Sequence, residues 1–163
     1  MQTLEIPKAV VAAKAEFGRA KDRIVKALAS TPDDKINWSP APTARTPIHL
    51  VAHAGMSISG MQEWLEGKPF PFESMADLDT FLRKEEQPYT TREQALELLD
   101  KNSGPYLAWL DTLSEEKLTS MFETPMGAFP FSDAITWPAD HLRGHASQLD
   151  YIQTIYGDRE WHF

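Results

Sequence analysis

The stretch "ADHLRGHASQLDYIQ", residues 139–153, holds two histidines one helical turn apart in a segment with helical periodicity. Side chains advance about 100° per residue around such a helix. With His141 as reference, Ile152 falls about 20° and His145 about 40° to one side, and Gln148 about 20° to the other. Leu149, Ile155 and Tyr156 share that sector, whereas Arg143, Asp150 and Gln153 lie outside it. The wheel therefore puts His141 and His145 in the middle of an apolar stripe. A buried imidazole needs a partner at each ring nitrogen. One inward histidine usually finds a carboxylate or carbonyl; two stacked on one stripe can share a divalent cation. Metalloproteases use this spacing, but Leu142 stands where their H-E-x-x-H motif requires glutamate, so this is no such protease. A metal site and a purely structural histidine cluster are the two readings of the pattern.

A second pair with the same spacing, His49 and His53, lies in "TPIHLVAHAGMSISGMQEWLEG", residues 46–67. Here Leu50, Ala54, Ile58, Met61 and Leu65 form the apolar face. His53 borders that face and His49 points further toward solvent. His53 is the third inward candidate, with His49 as its alternative. Five histidines scattered over 163 positions rarely fall into two such pairs.

The rest of the chain also reads as helix and loop. Ile6, Val10, Ala13, Phe17, Ala20, Ile24 and Leu28 form one stripe, predicting a helix from about Pro7 to Ala29. "STPDDKINWSPAPTART" (30–46) breaks the period with three prolines. Thr46-Pro47 caps the second helix, which stops near Gly67. A short helix is expected near Met75 to Lys84, with the run "RKEEQ" as a solvated face. A third long helix starts at Thr90 or Thr91, where Glu93 or Gln94 completes a capping box, and Gly104-Pro105 predicts a kink or break. Ser114 opens one or two short turns. Ser132 or Asp133 opens the last helix, which ends at Gly157, with Pro138 inside it or at its true start. "TPMGAFPF" reads as an extended piece with no sheet implied. The fold class is all-α, an antiparallel four-helix bundle with crossover loops, in one domain over residues 1–163.

Net charge is −8 with a pI near 5.1, which argues against nucleic acid and anionic membrane surfaces as partners. No apolar run approaches the roughly 18 residues of a membrane span. The start "MQTLEIPKAV" lacks a signal-peptide pattern, so the expected location is cytoplasmic. The chain has no cysteine and hence no thiolate nucleophile of its own. Asp140 is a candidate for orienting a histidine, Gln148 for bonding a ligand or substrate. Trp38, Trp64, Trp109 and Trp137 read as core or pocket wall, and His162 as an exposed tail residue.

Three segments, "INWSPAPTARTPIHLVAHA" (36–54), "LSEEKL" (113–118) and "HLRGHASQLDYIQTIYGD" (141–158), resemble the DinB-like superfamily of four-helix bundles, which includes thiol S-transferases. The H-x3-H-x2-Q pattern of the last segment is the most specific element. The resemblance implies divalent-metal ligation by His53, His141 and His145, with zinc, nickel or ferrous iron all compatible with nitrogen-only ligands. It further implies metal-assisted attack of a thiol or water on a small electrophilic substrate, with Gln148 as the candidate for assisting it, and homodimers are common among such proteins. Any low-molecular-weight thiol would come from a cofactor or substrate. A non-catalytic metal- or ligand-binding bundle is the alternative.

Overall fold

A computed structural model describes residues 6–162. The first five residues, part of the stretch read for a signal peptide, and Phe163 lie outside it. Four long helices carry the fold: α1 (Lys8–Ala29), α2 (Pro47–Leu65), α4 (Arg92–Leu110) and α7 (Trp137–Ile155). Between them lie α3 (Met75–Glu86), two one-turn helices α5 (Glu115–Leu118) and α6 (Phe131–Ala134), and strands β1 (Met121–Thr124) and β2 (Gly127–Pro130).

Most helix ends follow local chemistry. The Thr46 hydroxyl accepts from the His49 N–H, with Pro47 opening α2 where a missing N–H has no cost. Thr91 and Gln94 form the capping box of α4. Gly67 and Gly157 take the left-handed conformation (φ 93° and 98°) just past α2 and α7. Pro138 lies in the first turn of α7, while residues 131–134 make the separate α6. Of the kink or break expected at Gly104-Pro105, the break does not occur: α4 runs as one helix through both residues.

Ion pairs and hydrogen bonds fix the helix directions. Lys14 meets Asp111 and Lys21 meets Asp100, so α1 and α4 run antiparallel. Arg23 meets Asp150 and Glu16 meets Arg143, so α1 and α7 run the same way. Trp64 stacks near Trp137 while His53 meets His141 and His145, so α2 and α7 are antiparallel. Asn37, just ahead of α2, donates to the Thr90 carbonyl, and Asn102 of α4 donates to the Gly55 carbonyl. Hence α2 and α4 are parallel, and the bundle is up-down-down-up. A 19-residue helix is about 28 Å long. The chain must therefore travel back that far between α2 and α4, and the crossover carrying α3 spans the distance.

Phe17, Ile24, Leu28, Ile48, Leu99, Leu110 and Leu142 fill the interior. Tyr106, wholly buried, packs on Phe17 and donates to the Ile135 carbonyl at 2.5 Å. Where only an extended piece was expected, β1 and β2 form an antiparallel hairpin. Its strands are too short to show a period of two. Phe122 and Phe129 hold it by packing against Trp137, and Phe122 also meets Trp64. Trp38, Trp109 and Trp137 pack partly buried against the core. Among the described residues, no helix is long and apolar enough to cross a membrane.

Close approach of α2 to α4 depends on Gly55: a Cβ there would stand 3.3 Å from the Leu99 Cα and backbone N. We expect Gly55→Val to force these parallel helices apart and lower stability by about 1–3 kcal/mol in urea unfolding. Wild-type stability in that variant would contradict this packing.

Candidate metal centre

Helices α2 and α7 bring His53, His141 and His145 together, with one ring nitrogen of each lying within 4.8 Å of the others. The Nε2 atoms of His141 and His145 are 3.0 Å apart, and the His53 ring lies 4.7 Å from His145 and 5.2 Å from His141, centroid to centroid. His53 is buried; His141 and His145 are half-buried. His49 lies outside the cluster, half-buried, so the alternative third member is not brought in.

The wheel's placement of the α7 pair shifts by one stripe. The buried residues of α7 include Leu142, Ala146, Leu149 and Gln153, a line facing α1, where the Gln153 amide donates to the Ala27 carbonyl. The histidines flank that line on the side toward α2. A wheel drawn for one buried face misses this, because α7 packs against two helices and its hydrogen-bonded glutamine counts as core.

Two of the three rings are oriented from behind. His53 Nδ1 lies 2.9 Å from Glu86 Oε1, and His145 Nδ1 lies 2.7 Å from Gln148 Oε1. An ionised carboxylate only accepts, so His53 donates from Nδ1 and its Nε2 carries the free lone pair. The amide oxygen of Gln148 imposes the same tautomer on His145. Gln148 thus touches His145. Asp140 instead pairs with Arg143 at the surface. His162 pairs with Asp158 at 2.8 Å and is half-buried rather than exposed.

Glu86 is the residue the sequence conceals. It was part of the "RKEEQ" run read as solvated, yet it is 1% exposed and is the buried residue of α3. Its carboxylate also accepts from Arg45 Nε at 2.8 and 3.0 Å. Arg45 Nη2 in turn reaches Asp79 at 2.8 Å, and Arg83 Nε reaches Asp79 at 2.7 Å. Burial alone would raise the Glu86 pKa, but the hydrogen bonds from His53 and Arg45 hold it below the usual carboxylate range. With both oxygens engaged and its charge stabilised, Glu86 positions His53 and is a poor proton acceptor. Little in a heptad or wheel marks it; the one signal is that α3 crosses back over the start of α2.

Burial holds His141 down to about 3, helped by the neighbouring His145, and holds His145 down to about 4, helped by His53. Neutral imidazoles are the metal-binding form. The donor set fits a divalent ion: bonds of about 2.0–2.1 Å in tetrahedral geometry separate nitrogens by about 3.3 Å, close to the His141–His145 spacing. Three histidines could hold one ion and leave a coordination position open.

Comparison with known proteins agrees with this architecture. Residues 16–149 match the model of the DinB superfamily, and the chain belongs to that family. No curated protein sequence matches it. Among solved structures it resembles the sibling lethal factor precursor DfsB, at TM-score 0.71 and 18% identity over 93% of this chain and 99% of that one. A conserved protein of Enterococcus faecalis is similar at TM-score 0.69 and 16% identity, with the same coverage of each chain. The colibactin self-resistance protein ClbS, solved in complex with a double-stranded DNA, is similar at TM-score 0.67 and 18% identity, over 92% and 98%. At these identities the likeness is one of fold. The ClbS complex nevertheless overturns the exclusion of nucleic acid drawn from net charge. A charge of −8 sums the whole surface, whereas a duplex meets only a local patch.

The lowered histidine pKa values set a pH dependence. In the metal-free protein both groups take up protons on unfolding, where their pKa returns to about 6.5. Stability is full above that value and is lost as pH falls from about 6.5 toward 4. We expect urea unfolding at pH 5 to show a loss of order a few kcal/mol relative to pH 7.5. The His141→Gln/His145→Gln variant should flatten that slope; an unchanged slope would contradict the burial argument.

Proposed function

We propose that this DinB-superfamily chain binds one divalent metal ion through His53, His141 and His145, and is a metal-dependent enzyme acting on a small electrophilic substrate. The observation that carries this reading is the pair of Nδ1 hydrogen bonds, to Glu86 and Gln148. They leave Nε2 as the unprotonated nitrogen of His53 and of His145, the usual preparation of an imidazole for ligation. An ion in that position would supply Lewis-acid chemistry at its open side, lowering the pKa of a thiol or water. The ion would be zinc, nickel or ferrous iron.

The chain's own residues supply orientation and shelter. Glu86 and Arg45 lock His53, and Gln148 holds His145 in the ligating tautomer. Burial keeps His141 and His145 neutral across the physiological range. With no cysteine in the chain, a thiol nucleophile must be a low-molecular-weight cofactor or a substrate, which makes thiol S-transfer and hydrolysis the two reaction types. A homodimer in the cytoplasm is the proposed working form, by analogy with thiol transferases of this fold. The alternative is a non-catalytic metal- or ligand-binding bundle. It is favoured by one observation: the buried carboxylate beside the cluster has both oxygens occupied and cannot serve as a free base.

Protein purified without a polyhistidine tag is expected to carry about one ion per chain by elemental analysis. The His141→Ala/His145→Ala variant should carry less than a tenth of that. Metal-free wild-type protein whose stability ignores both chelator and added zinc would overturn the reading. Turnover of a chloro-nitro aromatic with a small thiol, lost with the ion, would separate the enzyme from the binding module.

A further inference from the structure

Beside the histidine cluster lies a cleft of about 360 Å³ bordered by His145 and Gln148. Leu50, Tyr151, Ile152 and Ile155 give it an apolar lining, while Arg45 and Arg83 supply its charge. Among the described residues no aspartate or glutamate lines it, although acidic residues outnumber lysine and arginine by 24 to 16 in the chain. The carboxylates lie behind the guanidiniums instead. Glu86 holds Arg45 through Nε, and Asp79 holds both Arg45 through Nη2 and Arg83 through Nε. This leaves Nη1 of Arg45 and both Nη groups of Arg83 without a hydrogen-bond partner among the described residues. A guanidinium pinned on one edge presents its remaining donors as a fixed fork, so an anion binds with little further loss of side-chain freedom. Two such forks over an apolar wall suit a molecule with an acid group on a hydrophobic body.

We propose that this cleft binds a small organic carboxylate, with its acid group on Arg83 and Arg45 and its apolar body against Leu50, Ile152 and Ile155. Its role as a substrate subsite rests on the metal-enzyme reading above; the binding itself requires no ion. The thiol or the electrophile would then carry a carboxylate, and its uncharged end would lie toward His145. Arg83 serves as the specificity residue because it is tied down only through Asp79 and is itself 40% exposed at the side chain.

The test uses the full chain stripped with chelator, titrated with hydrocinnamate and with its uncharged amide, and followed by NMR. Hydrocinnamate should bind about tenfold more tightly or better, moving the Arg83 Nε–H and the Ile152 and Ile155 methyl signals. In Arg83→Gln its affinity should fall to within about threefold of the amide, with amide binding unchanged. Equal affinities for acid and amide in wild-type protein, shifts mapping away from the cleft, or no saturation by either probe would overturn the proposal. Because no metal is present, a failed metal assay leaves this outcome standing, and the reverse also holds.

Discussion

A carboxylate almost fully removed from water must be compensated where it lies, and Glu86 meets that demand with the charge of Arg45 on one side and a hydrogen bond from His53 on the other. The histidine end depends on this contact. It fixes the His53 tautomer and docks the C-terminal end of α3 on the start of α2. Through Arg45 and Asp79 it also aims two guanidiniums at the neighbouring cleft. Removing the carboxylate would leave the poorly exposed Arg45 with Asp79 alone and free the ring at once. Such buried ionic contacts are weak sources of net stability, and their value here lies in orientation.

The up-down-down-up order explains why that contact can exist. With α2 and α4 parallel, the chain must cross the length of the bundle between them, and α3 lies on that path. A simple alternating bundle with short loops would place no residue of that connection near His53. The same order sets α7 between α1 and α2, so one of its faces completes the core and the adjoining face presents His141 and His145. The hairpin and its aromatic cluster close the end where α2 finishes and α7 begins. The cleft lies toward the other end, beside the start of α2.

Local rules made the helices legible: the stripe of α1, the Thr46-Pro47 start, the Thr91 capping box and the two terminal glycines. The three histidines were legible as candidates from their four-residue spacing, although the wheel set the α7 pair on the apolar stripe itself and left His49 open beside His53. Glu86 was not, because its burial comes from where the crossover returns, and a charged run of five residues contains nothing that says so. Asp140 misled for the mirror reason: it neighbours His141 in sequence, but its side chain pairs with Arg143 instead. Gln153 and the Phe122–Phe129 hairpin depend on partners from distant segments, and periodicity has no access to those. Net charge misled most simply, since a sum over the molecule carries no map.

The central claim is that three imidazoles, two of them oriented by Glu86 and Gln148, share one ion. Anomalous diffraction from crystals of the untagged protein, collected at the absorption edge of the metal it carries, tests this directly. The account predicts a single strong peak about 2.0–2.1 Å from one nitrogen each of His53, His141 and His145. It also predicts that the Glu86 and Gln148 hydrogen bonds persist behind the ligands. A peak held by other residues, or metal-supplemented crystals with no peak among the three rings, would contradict it.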